Sequence, residues 1–342
     1  MTGKRSLGIA LIAAVGFVVV AQGQAPVPRP VRNDRAHAAR ELLVLRHHQL
    51  RRGGHEEFYR LSAENVWPFF EHNGARITGQ WKIVESQHTM TPGADDVYRL
   101  VRYAGFDHWR STRSALSSGA GATGGADVAL GGNGPAQARS VGGYASRGEL
   151  ELGSRGAYFL EGVSAPGGPY FMPGLAEQYE LVQAGQRPPS TDARIPIRVD
   201  VAQPGDEIVE VRYQRIRKGS YDRFVEATRS SVWPWEEKLG ARPMGQWLVV
   251  HPAAVSRTPA SAEYDEIVTM TRFAGRAHRD AMQPDAAVFM GGNGPDYEAW
   301  VAARRIQQEL TLSTSIEIAQ GIMYDSPPKF LPGLPERYQL RK

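Results

Sequence analysis

The sequence predicts an α+β fold: two ferredoxin-like βαββαβ repeats, packed sheet to sheet as one pseudo-symmetric α+β barrel. Three observations predict it. The chain aligns with itself without a gap, Glu41–Val84 against Glu207–Val250, with sixteen of the forty-four positions identical. Inside each copy the apolar period switches between strand and helix in the same order. Finally, a four-stranded sheet with helices on one face leaves the other face bare, and two such sheets in one chain can cover each other.

The repeat skeleton is Arg46/Arg212, Arg51/Arg217, Gly53/Gly219, Phe58/Phe224, Val66-Trp67-Pro68/Val232-Trp233-Pro234 and Glu71/Glu237. It continues with Gly74-Ala75-Arg76/Gly240-Ala241-Arg242 and Gly79-Gln80-Trp81/Gly245-Gln246-Trp247. Further along, Arg102-Tyr103-Ala104-Gly105 matches Arg272-Phe273-Ala274-Gly275, and His108 matches His278. Gly-Gly-Asn-Gly-Pro stands at 131–135 and again at 291–295.

In the first copy, Leu42–Leu50 reads as a strand that Gly53 turns out of. Phe58, Leu61, Asn65 and Phe69 recur at helical spacing, Gly74 stands where a helix ends, and Pro68 should end or kink that helix near Trp67. Ala75–Glu85 and Val97–Ala104 read as strands joined by a polar loop with Pro92-Gly93. Asp107–Leu116 reads as helix, Gln137–Arg147 as a short second helix and Leu150–Leu160 as the closing strand. The second copy repeats the order, with Trp300–Gln308 as a clearer helix and Leu310–Ala319 as its last strand. That order is the split βαβ unit.

The domain reading is therefore a signal peptide over 1–23, an N-terminal extension over 24–38, one repeat over 39–182, a Pro-rich linker over 183–206 and a second repeat over 207–342. The signal rests on Lys4-Arg5, the apolar run Leu7–Ala21 and small residues flanking the cut in Ala21-Gln22-Gly23. An uncleaved anchor is the other reading of that run, which is short for a span of about twenty residues. The expected location is periplasmic or secreted, with no stable membrane span after cleavage.

Composition sets further limits. Hydrophobic residues make up 42% of the 342 and charged residues 22%, enough for real cores. Cysteine is absent, which rules out disulfides, thiolate metal sites and a cysteine nucleophile. The net charge of +4 is spread among interleaved acids, unlike the concentrated basic face of a nucleic-acid binder, so no nucleic-acid partner is expected.

Leu45-Arg-His-His-Gln-Leu-Arg-Arg-Gly53, Glu210-Val-Arg-Tyr-Gln-Arg-Ile-Arg-Lys-Gly219 and the two Gly-Ala-Arg-x-x-Gly-Gln-Trp segments resemble the NIPSNAP family. Tyr297-Glu-Ala-Trp-Val is similar to that family's final helix. The resemblance implies the dimeric α+β barrel fold. It leaves the activity undefined, with a small-molecule-binding or scaffold module first and a cofactor-free oxygenase or isomerase acting on a small acidic or aromatic molecule second. Related α+β barrels include haem-handling proteins as well, but no cofactor is expected here; a small-molecule ligand and further homo-oligomerisation are open options.

Strand parity nominates the site. Leu43, Leu45 and His47, with Val209, Val211 and Tyr213, form a face suited to packing under helices. The opposite face, with Arg46, His48 and Arg212, would then point into the barrel. There a guanidinium is costly unless it pairs with Glu210, Gln80, Gln246 or carbonyls, or clamps an acidic ligand. The candidate ligand residues are Arg46, His48, Gln80, Arg102, Arg212, Gln246 and Arg272. His108 and His278, near helix starts, are the first proton-transfer candidates, with surface or capping roles as the alternative. No metal is expected: His47 and His48 point to opposite faces, and no ligand spacing follows. No phosphate loop or nucleophile elbow occurs either. The Gly-Gly-Asn-Gly-Pro loops read as turns between helix segments or as a lip over the barrel mouth.

Overall fold

A computed structural model describes residues 31–32, 42–72, 75–88, 90–103, 105–106, 109–110, 134–164, 180–181, 197–198, 207–238, 241–253, 256, 258–273, 275–282, 294–323 and 339–340. The predicted signal segment, most of the predicted linker, the predicted Asp107–Leu116 helix except for 109–110, and His108 lie outside the described residues.

The first copy contains β1 (Leu42–Arg51), α1 (His55–Leu61), α2 (Trp67–His72), β2 (Arg76–Ser86), β3 (Ala94–Tyr103), α3 (Gly134–Gly148) and β4 (Glu151–Ser164). The second contains β5 (Ile208–Arg217), α4 (Tyr221–Ala227), α5 (Trp233–Lys238), β6 (Arg242–Val250), β7 (Tyr264–Phe273), α6 (Arg276–Ala281), α7 (Pro295–Leu310) and β8 (Thr311–Met323). Two short parallel pairs, 31–32 with 339–340 and 180–181 with 197–198, stand outside the barrel.

The eight strands close one antiparallel barrel in the order β7-β5-β8-β2-β3-β1-β4-β6, with β6 paired back to β7. Each half contributes its own sheet, and the last strand of each half pairs with the second strand of the other. Residues 159–164 of β4 pair with 245–250 of β6, and 317–323 of β8 with 79–86 of β2. These pairings explain why both closing strands run several residues beyond their predicted ends. The extra length has nothing to pair with inside its own repeat. It is satisfied only by the other half, which also removes the exposed edges.

Pro68 and Pro234 do not end their helices. Each is preceded by a wide turn, Ser62–Val66 and Thr228–Val232, in which the N–H of Trp67 reaches the Ser62 carbonyl and that of Trp233 the Thr228 carbonyl. An i→i−5 bond widens the turn just where the proline ring would collide with the carbonyl four residues earlier. The Gly-Gly-Asn-Gly-Pro motifs start helices: Gly134 opens α3, and Pro295 occupies the first turn of α7 after Gly294. Residues 131–133 and 291–293 are outside the described residues.

The larger hydrophobic clusters among the described residues follow from this layout. Leu43, Leu45, Trp81, Tyr98, Leu100, Val209, Val211, Trp247 and Met270 form one cluster drawn from both halves, which fills the barrel. Leu42, Val44, Trp67, Phe70, Val101 and Trp109 pack between the first sheet and its helices, and Ile208, Trp235, Phe273 and Trp300 do so in the second half. The predicted facing of the first strands is thereby reversed. Leu43, Leu45, Val209 and Val211 point into the barrel, and Arg46, His48 and Arg212 point toward the helices. The reason is size and solvation. An eight-stranded barrel is just wide enough for side chains to fill, so an apolar set is held there more cheaply than desolvated guanidiniums.

Candidate functional site

The second half holds a cavity of about 390 Å³ between its sheet and its helices. Its floor is the helix-facing row of β5, β6 and β7: Glu210, Arg212, Gln246, Thr269 and Thr271. Its walls and roof come from Thr228, Trp235, Arg279, Tyr297, Trp300, Arg304 and Gln307. Thr228 starts the wide turn before Pro234, so the proline's local demand also places a hydroxyl on the cavity wall. That hydroxyl donates to the Gln246 side-chain carbonyl at 2.8 Å and accepts from Gln307 Nε2 at 2.8 Å, while Gln246 Nε2 donates to Thr269 at 3.1 Å. The polar floor is thus held in one orientation.

Charge in this cavity is uneven. Glu210 is clamped between two arginines, accepting from Arg212 Nε at 3.0 Å and from Arg279 Nε at 2.7 Å. Burial alone would raise its carboxyl pKa. Arg212 and Arg279 overrule burial and hold it below the ordinary carboxylate value. Arg304 differs. It donates to Gln307 Oε1 at 2.8 Å, but among the described residues it has no carboxylate partner. Burial lowers its pKa and Arg212 nearby lowers it further, while the carboxylates of Glu236 and Glu210, both lining the cavity, pull the other way. Beside it the rings of Tyr297, Trp300 and Trp235 stack in sequence, with centroids 5.6 and 4.4 Å apart. Among the described residues the indole N–H groups of Trp235 and Trp300 have no hydrogen-bond partner, and both are buried away from the cavity space.

Of the residues nominated from sequence, only Arg212 and Gln246 line this cavity. Arg212 adopts the structural pairing foreseen for it, with Glu210. In the first half, Arg46 and His48 share the corresponding helix-facing surface. His48 Nδ1 lies 2.7 Å from Glu151, and burial, followed by the fields of Arg99, Arg147 and Arg46, holds its pKa well below the ordinary histidine value. Gln80 is buried and donates to the His55 carbonyl at 3.5 Å. Arg102 and Arg272 share the inward register of Leu100 and Met270, at one end of the barrel. Arg272 pairs with Glu207, and burial pulls its pKa down to about 10. His278 is buried against Phe273, 5.9 Å between ring centroids, and does not line the cavity.

Sequence reasoning missed Arg279, Arg304, Gln307 and the Trp235–Trp300 wall. The signal lay in the repeat itself. The first copy has Val44 where the second has Glu210, Trp109 where it has Arg279, and Tyr144 where it has Arg304. Val44 and Trp109 share one apolar cluster. The second copy has traded that packing for charge, and a cavity accompanies the exchange.

Among the described residues, no three His, Asp or Glu side chains converge as a metal-binding group, and no helix is long and apolar enough to cross a membrane.

No known family profile matches the chain, and no curated protein matches it. Solved structures do. A candidate monooxygenase from Lactobacillus acidophilus NCFM is 6% identical with a TM-score of 0.44, covering 82% of this chain and 93% of its own. One from Fusobacterium nucleatum is 7% identical with a TM-score of 0.43, covering 84% and 99%. An anthrone oxidase-like protein is 10% identical with a TM-score of 0.37, covering 83% and 92%.

Proposed function

We propose that the chain is a small-molecule-binding module of NIPSNAP-like ancestry, and that its ligand is a small organic acid seated in the second-half cavity. One observation carries the reading. The cavity wall sets a half-buried Arg304, which forms no carboxylate ion pair among the described residues, beside the stacked rings of Tyr297, Trp300 and Trp235. A partly desolvated guanidinium gains from a carboxylate that a ligand brings. A small acid meets both features, its carboxylate facing Arg304 and its apolar body against the Trp300 stack. The volume is in the range of small-ligand sites.

Binding is favoured over turnover. None of the described lining residues is a histidine, and of the lining carboxylates Glu210 is occupied by two arginines while Glu236 lies in the fields of Arg212 and Arg304. The basic n-region and short apolar run at the N-terminus support work outside the cytoplasm. Finding the mature N-terminus of protein secreted by a bacterial host just after residue 23 would bear this out, and an intact leader would overturn it.

The binding test uses benzoate and calorimetry. Wild-type protein is expected to bind it, and Arg304→Gln to bind it about tenfold more weakly, the loss of one charge-assisted contact of about 1.5 kcal/mol. Unchanged affinity in Arg304→Gln, or no binding of benzoate by the wild type, would refute the assignment.

A further inference from the structure

A second cavity, of about 650 Å³, opens at the end of the barrel away from Arg102 and Arg272. Its inner wall is built by inward-facing side chains from both halves: His47 on β1, Tyr98 on β3, Tyr158 on β4, Tyr213 on β5 and Glu317 on β8. No part of the reading above uses these residues.

Glu317 is only 4% exposed, and its two carboxylate oxygens are taken by neutral hydroxyls. Ser86 Oγ donates to Oε1 at 2.7 Å, and the Tyr98 hydroxyl donates to Oε2. Among the described residues no cation pairs with it. A buried carboxylate compensated by dipoles alone is costly. Around it runs an arc of rings. The centroids of His47 and Tyr98 lie 4.9 Å apart, those of Tyr98 and Tyr213 6.4 Å, and those of Tyr213 and Tyr158 5.1 Å. Among the described residues the buried Tyr213 hydroxyl makes no hydrogen bond of normal geometry, and Tyr158 and Glu317 act on it electrostatically.

Burial first raises the pKa values of Tyr98 and Tyr213 well above the ordinary phenol value; Tyr213 and Glu317 add to this at Tyr98, and Tyr158 and Glu317 at Tyr213. The arc therefore presents neutral, electron-rich rings at neutral pH. The other charged groups of the mouth are already engaged. His47 Nε2 lies 2.9 Å from Asp96, and Arg215 sits over the Tyr264 ring and pairs with Glu266 at 3.4 Å. Tyr158, 37% exposed, marks the way in.

We propose that this barrel mouth is a binding site for an organic cation of the alkylammonium class, its charge held by Glu317 and its alkyl groups by the faces of Tyr98, Tyr158 and Tyr213. The juxtaposition carries the proposal: an enclosed carboxylate without a cation, at the base of a three-tyrosine arc, in a cavity with an open end. Tyrosine faces attract such cations, more strongly where water is excluded.

The test compares tetramethylammonium with tert-butyl alcohol, nearly the same shape without the charge, by NMR titration of the full mature chain. Tetramethylammonium is expected to bind about tenfold more tightly, to shift tyrosine resonances, and to lose about tenfold in affinity in Glu317→Gln. Tyr158→Ala, a half-exposed rim position, is expected to weaken binding about fivefold with an unchanged melting temperature. It decides the matter should Glu317→Gln fail to fold. Equal binding of the alcohol, no binding of the cation, or full affinity in both variants overturns the proposal. Arg304→Gln is expected to leave cation binding unaltered, so failure of the acid site and failure of this one are separately visible.

Discussion

Gly321→Ala is expected to be among the most damaging single-methyl substitutions in this chain. A β-carbon at Gly321 would fall on the Gln80 carbonyl oxygen and lie 2.6 Å from the Trp81 Cα. Gly321 pairs with Trp81 across the β8–β2 seam, and its repeat counterpart Gly162 pairs with Trp247 across the β4–β6 seam. At Gly162 a β-carbon would meet the Tyr221 hydroxyl and the Gln246 carbonyl oxygen, and φ there is +148°, so glycine is required twice over. The obstacles at Gly321 are backbone atoms of a paired strand, which no rotamer change can move aside. The strands must separate, and this seam is where the two halves hold each other. A cost of about 3 kcal/mol is expected, a fall in melting temperature of roughly 6–12 °C. Gly142→Ala is the contrast. Gly142 is an exposed position of α3 whose added β-carbon touches nothing within 4 Å, so helix propensity should raise stability by about 0.5–1 kcal/mol. Calorimetric melting of both variants checks the pair. A Gly321→Ala protein that melts with the wild type would mean that the seam is not closed this tightly.

Those seam glycines also mark what the sequence could and could not convey. The repeat, the βαββαβ order and the pairing of two bare sheet faces were legible, because burial patterns and turn residues are local and occur twice. The face of each strand was not. On β1 both parities begin with leucine or valine, and Arg46 and His48 sit among them, so hydrophobicity alone ranks neither side as the interior. The decision comes from the barrel's diameter, a property of all eight strands together. The same holds for Pro68: a proline in a helix reads as a break until a wide turn at Ser62–Val66 absorbs it. The site was legible only in part. Arg212 and Gln246 stood out as repeated residues, whereas Glu210, Arg279 and Arg304 matter because they are not repeated. Searching a duplicated chain for identities finds its scaffold; its differences, taken in spatially matched pairs, find where one copy has departed.

That logic gives the second large effect. Glu210→Val alone is expected to destabilise the protein by about 3–5 kcal/mol, because it leaves Arg212 and Arg279 facing each other without their shared carboxylate in a largely buried site. Adding Arg279→Trp restores the Val44–Trp109 pairing of the first half and is expected to recover roughly 2 kcal/mol of the loss, a coupling that a double-mutant cycle in urea measures. Additive effects would mean that the two positions do not form one unit. Acid provides an independent check. The folded-state pKa of Glu210 is held below its ordinary 4.5 by Arg212 and Arg279, against the opposing pull of burial. Its contribution is therefore complete at pH values above 4.5 and is lost as pH falls through the depressed folded value. Wild-type stability should accordingly fall more steeply below about pH 4 than that of the double variant, which has no carboxyl there to protonate. Parallel stability curves for the two proteins in acid would show that the Glu210 clamp contributes nothing, and the charged floor of the cavity would need another source of order.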